Sequence, residues 1–281
     1  MKPTVIAGAN RRSDRGRNVR GSAEPSGRGQ SQDQIKRVAT ILKHSKSILF
    51  ITGAGLSADS GLPTYRGISG LYNDSPTEDG VPIEVALAGE TVEKDPVLTW
   101  KYISRIEEKC RRAMPNRGHE VIKEMEERFE RVWVITQNVD GLHQKAGSKN
   151  VIDIHGDIYK LICPHCMHRF RVKDYSEIHI PPLCPKCQRI MRPEVVFFNE
   201  YLPYNQSQAL LREQEKGFDV YFSIGTTSTF HYISQPMVDA KEKGLPTIEI
   251  NPDRTDISDA VDIKLPMRAA KALGEIWKEY L

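Results

Sequence analysis

The sequence has no uninterrupted apolar run of about 18 residues, the length a membrane-spanning helix needs. It also lacks an apolar stretch near the N-terminus of the kind that directs export, so a cytoplasmic protein is expected. Charge of one sign is missing too. The 40 Lys and Arg nearly balance the 37 Asp and Glu, for a formal net charge of +3. Much of that excess lies ahead of Gln30, so the folded body is near neutral and is not expected to take nucleic acid as its partner. Cysteines are few and odd in number, five in 281 residues. That excludes the disulfide framework of a small secreted domain. What remains, 39% hydrophobic and 27% charged, is the balance of an ordinary globular chain.

Residues 1–34 are rich in Arg, Gly and Ser and hold almost no apolar side chains after Ala9. They read as a disordered basic tail, since they have nothing with which to build a core. A partner-binding or nucleic-acid-binding arm and an organellar presequence stay open. From Asp33 onward Ile35, Val38, Ile41 and Leu42 recur at helical spacing. Six short apolar, β-branched runs follow, at residues 47–52, 132–136, 151–155, 219–225, 246–251 and 260–265. Helical patterns separate several of them; Val121, Ile122, Met125 and Phe129 share one helix face. Buried strands alternating with helices predict a parallel α/β sheet. Residues 158–194, rich in Pro and Cys, break this rhythm and read as a small inserted module.

That module holds Cys163-Pro-His-Cys166 and Cys184-Pro-Lys-Cys187, with residues 167–183 between the pairs. The spacing is that of a tetrahedral zinc site. All four ligands, Cys163, Cys166, Cys184 and Cys187, are thiols, so no position is left for a reactive water and the metal is structural. Cys110 is left unpaired.

The first strand runs into Gly53-Ala54-Gly55-Leu56-Ser57-Ala58, a glycine turn that lets a pyrophosphate approach backbone N–H groups. A dehydrogenase would continue into a second strand ending in an acidic residue. Here the chain continues as a turn-rich loop containing Tyr65 and Arg66. The second strand ends in Gln137, Asn138 and Asp140, and the third in His155-Gly156. Ligands bind at the carboxyl ends of parallel strands. Two adjacent strand ends thus offer polar groups and a general base to one crevice.

Together these segments resemble the sirtuin family. The matching motifs are residues 53–67, 136–147 and 154–163, the two cysteine pairs, residues 192–200, Gly225-Thr226-Thr227 and residues 249–252, all in family order. The resemblance implies a Rossmann-like domain formed by residues 35–157 and 195–281, with a helical insert at about 68–115 and a structural zinc module at 158–194. It implies NAD as co-substrate and one zinc ion per chain. The cofactor contacts it implies are Gly53, Ala54, Gly55 and Ser57 at the pyrophosphate, and Gln137, Asn138 and Asp140 at the nicotinamide end, with Tyr65 and Arg66 on the loop. Gly225, Thr226, Thr227 and Asn251 fall at the adenosine half, with Ala269 a further cofactor contact. The resemblance likewise implies His155 and Asn138 as the catalytic residues, and Val196, Phe197 and Phe198 as the strand that meets the substrate. The activity implied is removal of acyl groups from protein lysines, with nicotinamide and O-acyl-ADP-ribose released. Mono-ADP-ribosyl transfer is the alternative use of the same chemistry, and a monomer is expected.

Two departures from the family pattern stand out. Phe198-Asn199-Glu200 replaces the usual Phe-Gly-Glu, at a position where Asn tolerates a left-handed backbone. The segment after Gly225 reads TTSTFHYISQP, where Thr-Ser-x-x-Val-x-Pro is commoner. The acyl group is left between two readings. Tyr102-Ile-Ser-Arg105 matches the Tyr-x-x-Arg signature of desuccinylases and demalonylases, in which Arg pairs with the acyl carboxylate. Counted from Asp95-Pro96, however, the pocket-facing pair falls at Ile103 and Ile106, one residue and about 100° of helix away. The expectation is an apolar pocket and a deacetylase.

Overall fold

A computed structural model describes residues 27–64 and 77–281, with side chains from Gln30 onward. In chain order the elements are α1 (Gly27–Lys43), β1 (Ser47–Thr52), α2 (Ala54–Ser57), α3 (Ile83–Ala86), α4 (Gly89–Lys94), α5 (Pro96–Arg112), α6 (Arg117–Arg128), β2 (Arg131–Thr136), α7 (Leu142–Ala146), β3 (Val151–Asp153), β4 (Gly156–Ile162), β5 (Arg169–Arg171), β6 (Arg192–Val195), α8 (Tyr204–Lys216), β7 (Val220–Ile224), α9 (His231–Glu242), β8 (Thr247–Ile250), β9 (Ile263–Leu265) and α10 (Ala269–Tyr280). The helix that the apolar pattern places from Asp33 onward starts at Gly27, inside the stretch read as a tail. Its first turns carry no apolar face, so hydrophobic periodicity does not mark them; they extend a helix nucleated by the buried Ile35, Val38 and Leu42.

Six strands form one parallel sheet in the order β3-β2-β1-β7-β8-β9. Each of the six apolar runs supplies one strand. Successive side chains point to opposite faces, and both faces are covered, which is why the runs are apolar without alternation. Ile48, Phe50, Val134 and Phe222 pack against α1, α6 and α10. Leu49, Ile51, Ile135 and Tyr221 pack against Leu210 of α8 and Ile233 and Met237 of α9. From β1 the chain winds outward through β2 to β3, then returns to start again at β7 beside β1. The winding therefore reverses between β1 and β7, and a crevice opens beyond their carboxyl ends.

A second, antiparallel sheet of order β5-β4-β6 carries the cysteine pairs. It shares a core with α5: Trp100, Tyr102 and Ile103 pack with Ile158, Leu161, Tyr175 and Met191. The buried Trp100 indole donates to the Met191 carbonyl at 2.8 Å, satisfying its N–H inside that core. No helix among the described residues is long and apolar enough to cross a membrane.

Candidate active site

The carboxyl ends of β1 and β7 meet backbone to backbone. Gly53 N–H donates to the Ile224 carbonyl and Gly55 N–H to the Gly225 carbonyl, at 3.0 and 2.8 Å. A Cβ on Gly55 would lie 2.6 Å from the Gly225 Cα, and one on Gly225 would lie 2.5 Å from the Leu56 nitrogen. Gly225 is also left-handed, at φ +61°. The two segments interlock because neither has a side chain at the crossing. The glycine turn thus fixes the floor of the crevice as well as leaving room for a ligand.

Side chains from β2 and β8 bind this floor together. Asn138 donates from Nδ2 to the Gly53 carbonyl and to Ser57 Oγ, both at 3.1 Å. Ser57 Oγ in turn donates to Asp140 Oδ2 at 2.6 Å, while Asp140 Oδ1 accepts from the Leu142 N–H. Burial pushes the Asp140 carboxyl above its usual range, and the Ser57 hydrogen bond opposes that rise. Gln137 donates from Nε2 to Thr226 Oγ1 at 2.7 Å, and Asn251 from Nδ2 to the Thr226 carbonyl at 3.1 Å.

His155 follows β3 and precedes the left-handed Gly156. Its Nδ1 lies 3.0 Å from the Gln137 carbonyl and its Nε2 lies 2.6 Å from the Tyr232 hydroxyl. A carbonyl only accepts, so Nδ1 carries the proton and Nε2 has the lone pair. Burial lowers the His155 pKa to about 4, so the ring is neutral at physiological pH.

Most of the residues expected at the site come together. Gly53, Ala54, Gly55, Gln137, Asn138, His155, Val196, Phe197, Phe198, Gly225, Thr226, Thr227 and Asn251 line one cavity of about 430 Å³, within the size range of small-molecule sites. Ser57 and Asp140 line an adjoining cavity of about 610 Å³, with Ala54 and Asn138 on both. Ala269 is buried at the start of α10, behind Arg268, which faces the first cavity. Tyr65 and Arg66 lie outside the described residues. Val196 N–H donates to the His155 carbonyl, and Phe198 exchanges backbone hydrogen bonds with Leu87 and Gly89. Asn199 is left-handed at φ +64°, the conformation its residue type tolerates. Glu200 accepts two hydrogen bonds from Arg192, at 2.5 and 2.7 Å, and one from the Phe197 N–H.

Tyr102 and Arg105 are not on the His155 cavity. Ile103 and Ile106 line it. Tyr102 and Arg105 face the second cavity, where Tyr102 donates to Asp79 and Arg105 to Glu78. The residue that motif reading missed is Tyr232; its only signal was that it falls in the segment departing from the family pattern. Asp59 was missed too: it accepts from the Ala270 N–H and pairs with Arg268, tying the glycine turn to the start of α10.

The four cysteine sulfurs lie within 4.8 Å of one another. Cys163 and Cys187 are 3.4 Å apart, Cys166 and Cys184 3.5 Å. Zinc–sulfur bonds of about 2.3 Å in a tetrahedron require sulfurs about 3.8 Å apart, so the cluster fits that ion. The two pairs sit in matched turns: Met167 N–H donates to the Cys163 carbonyl and Gln188 N–H to the Cys184 carbonyl, and both donor residues are left-handed.

The family model described as "Sir2 family" matches residues 53–231, from the glycine turn to the start of α9. The chain belongs to the Sir2 family. A relative from Pseudomonas aeruginosa named NAD-dependent protein deacylase 2 is 43% identical over 88% of this chain and 97% of its own. One of the same name from Pseudomonas syringae pv. tomato is 45% identical over 85% and 98%. Among solved structures, a Sir2 homologue in complex with NAD matches with a TM-score of 0.77 and 35% identity, over 89% of this chain and 93% of that one. The fold of this chain, a parallel sheet with a four-cysteine module set beside it, is the Sir2 fold.

Proposed function

We propose that the protein is an NAD-dependent lysine deacylase whose preferred substrate is an acetyl-lysine, or an apolar acyl-lysine, in a protein. The observation that carries this reading is a single cavity that joins a neutral, tautomer-fixed histidine to a glycine-floored dinucleotide crevice. NAD, when bound, supplies a ribosyl carbon that accepts the acyl oxygen as nicotinamide leaves. Gly53, Ala54, Gly55 and Ser57 would hold its pyrophosphate, Thr226, Thr227 and Asn251 its adenosine half, and Gln137, Asn138 and Asp140 its nicotinamide end. The fit is supported by the missing Cβ atoms at the crossing and by the buried Asn138–Ser57–Asp140 network, which presents polar groups where a carboxamide needs partners.

His155 acts as general base through Nε2, with the Gln137 carbonyl holding the opposite nitrogen protonated. Residues 195–198 hold the acyl-lysine against the cavity. Ile103 and Ile106 make its acyl end apolar, while Arg105, the one cation of the Tyr-x-x-Arg signature, is engaged by Glu78 in the adjoining cavity. The thiol-rich metal site suits a reducing compartment such as the cytoplasm, and we infer a monomer.

The test is a mass-spectrometric assay of the purified protein with NAD and matched acetyl-, succinyl- and myristoyl-lysine peptides. Acyl loss that needs NAD and yields nicotinamide and O-acyl-ADP-ribose is expected, with succinyl-lysine the poorest substrate. His155→Ala should cut turnover by about 10²–10⁴-fold, the usual range for a lost general base. Transfer of ADP-ribose to the peptide without acyl loss would replace this reading with mono-ADP-ribosylation.

A further inference from the structure

A histidine has one in-plane lone pair when neutral, and His155 has already committed it. With Nδ1–H given to the Gln137 carbonyl, Nε2 can only accept, and the group it accepts from is the Tyr232 hydroxyl at 2.6 Å. Tyr232 is set firmly. It occupies the second position of α9, stacks on Phe230 at 5.6 Å with a 10° tilt, and meets the His155 ring edge-on at 6.0 Å. Phe230 and His155 line the cavity, while Tyr232 lies behind them, outside its lining. Burial raises the Tyr232 pKa, so its hydroxyl stays protonated and keeps donating.

We propose that Tyr232 is a positioning residue that masks the basic nitrogen of His155 in the resting site, releasing it only when a ligand hydroxyl takes the tyrosine's place. This rests on the deacylase reading for its consequence, since that reading makes Nε2 the proton acceptor. The Gln137 carbonyl fixes the base-competent tautomer, and the Tyr232 hydroxyl occupies the lone pair that this tautomer leaves on Nε2. Because Nε2 has a single lone pair, the Tyr232 hydroxyl and a ribose hydroxyl compete for it. Ligand binding must therefore break the Tyr232–His155 bond and leave a half-buried phenol short of this partner. The cost falls on affinity, not on the acyl-transfer step.

Tyr232→Phe removes the competitor and keeps the ring stack. The variant should bind ADP-ribose about two- to tenfold more tightly by calorimetry, the span of one net hydrogen bond. Its KM for NAD should fall by a similar factor with kcat unchanged. In the free protein, the ¹⁵N resonance of His155 Nε2 should move toward that of an acceptor without a partner, and adding ADP-ribose should bring variant and wild type together. Unchanged ADP-ribose affinity in a folded variant would overturn the proposal. So would a kcat lowered more than tenfold at unchanged KM, which would make the tyrosine a proton relay. Tyr232→Leu, which carries neither a hydroxyl nor an N–H, guards against a folding defect in the first variant and should give the same Nε2 shift. The calorimetric and NMR readouts do not depend on turnover. A wild-type protein inactive on every acyl peptide would therefore refute the deacylase reading while leaving the masking of His155 testable.

Discussion

His155 is neutral because the protein packed around this half-buried ring desolvates it, and that ties the proposed activity to stability. Its pKa is near 4 in the folded chain against about 6.5 in an unfolded one. A histidine with a depressed folded pKa contributes stability that is fully present above the unfolded value and is lost as pH falls toward the folded one. Between those limits the unfolded chain binds the extra proton. Replacing His155 with Gln removes this contribution, so the variant should gain on wild type by about 2 kcal/mol between pH 7.5 and pH 5. Urea melts of both proteins at the two pH values check it; an equal offset at both would show that the ring is not desolvated. His119 and His143 are lowered by burial in the same way. They pack ring to ring at 5.0 Å beneath the site, with His143 against Thr52 at the end of β1. They are structural neighbours of the crevice and do not line it.

At the scale of the element, the phase of α5 sets which of its side chains line the His155 cavity, and the proposed acyl preference rests on it. Its N-terminus is set by Asp95, which accepts from the Leu98 N–H, and by Pro96 at the first helical position. Because the start is fixed, the phase of every later residue is fixed, and Ile103 and Ile106 fall on the His155 cavity. Tyr102 and Arg105, one residue earlier in each case, face the adjoining cavity, which Ile106 also lines. Arg105→Ala should leave acetyl-lysine turnover unchanged within about twofold, because the exposed Arg105–Glu78 pair is worth little. It should also leave the succinyl/acetyl preference where it was. A selective collapse of succinyl-lysine turnover in this variant would show that Arg105 reaches the acyl group after all.

At the scale of the whole molecule, the metal module and the base are mechanically joined. β4 begins directly after His155, Gly156 pairs with Val195 of β6, and Val196 N–H binds the His155 carbonyl. The residues proposed to hold the acyl-lysine therefore hang between His155, the proposed general base, and a sheet whose turns the cysteines organise. Removing the metal with a chelator, or Cys184→Ser, should lower the melting temperature and abolish deacylation together, although none of the four clustered cysteines lines either cavity. Full turnover at an unchanged melting temperature after metal loss would show the module to be independent of the site.

Much of this protein is determined by local sequence. The six strands are legible because a strand buried on both faces must be apolar throughout, and the four thiols because zinc geometry dictates their spacing. Gln137, Asn138, Asp140 and His155 are legible because each directly follows such a strand, and a parallel sheet gathers its strand ends on one edge. Tertiary structure alone decided which residues meet across long separations. The interlock of Gly55 with Gly225 and the Tyr232 hydroxyl on His155 each join segments far apart in the chain. No periodicity or motif within one segment encodes the distance between two side chains on different elements. That distance exists only once both sheet faces have been packed.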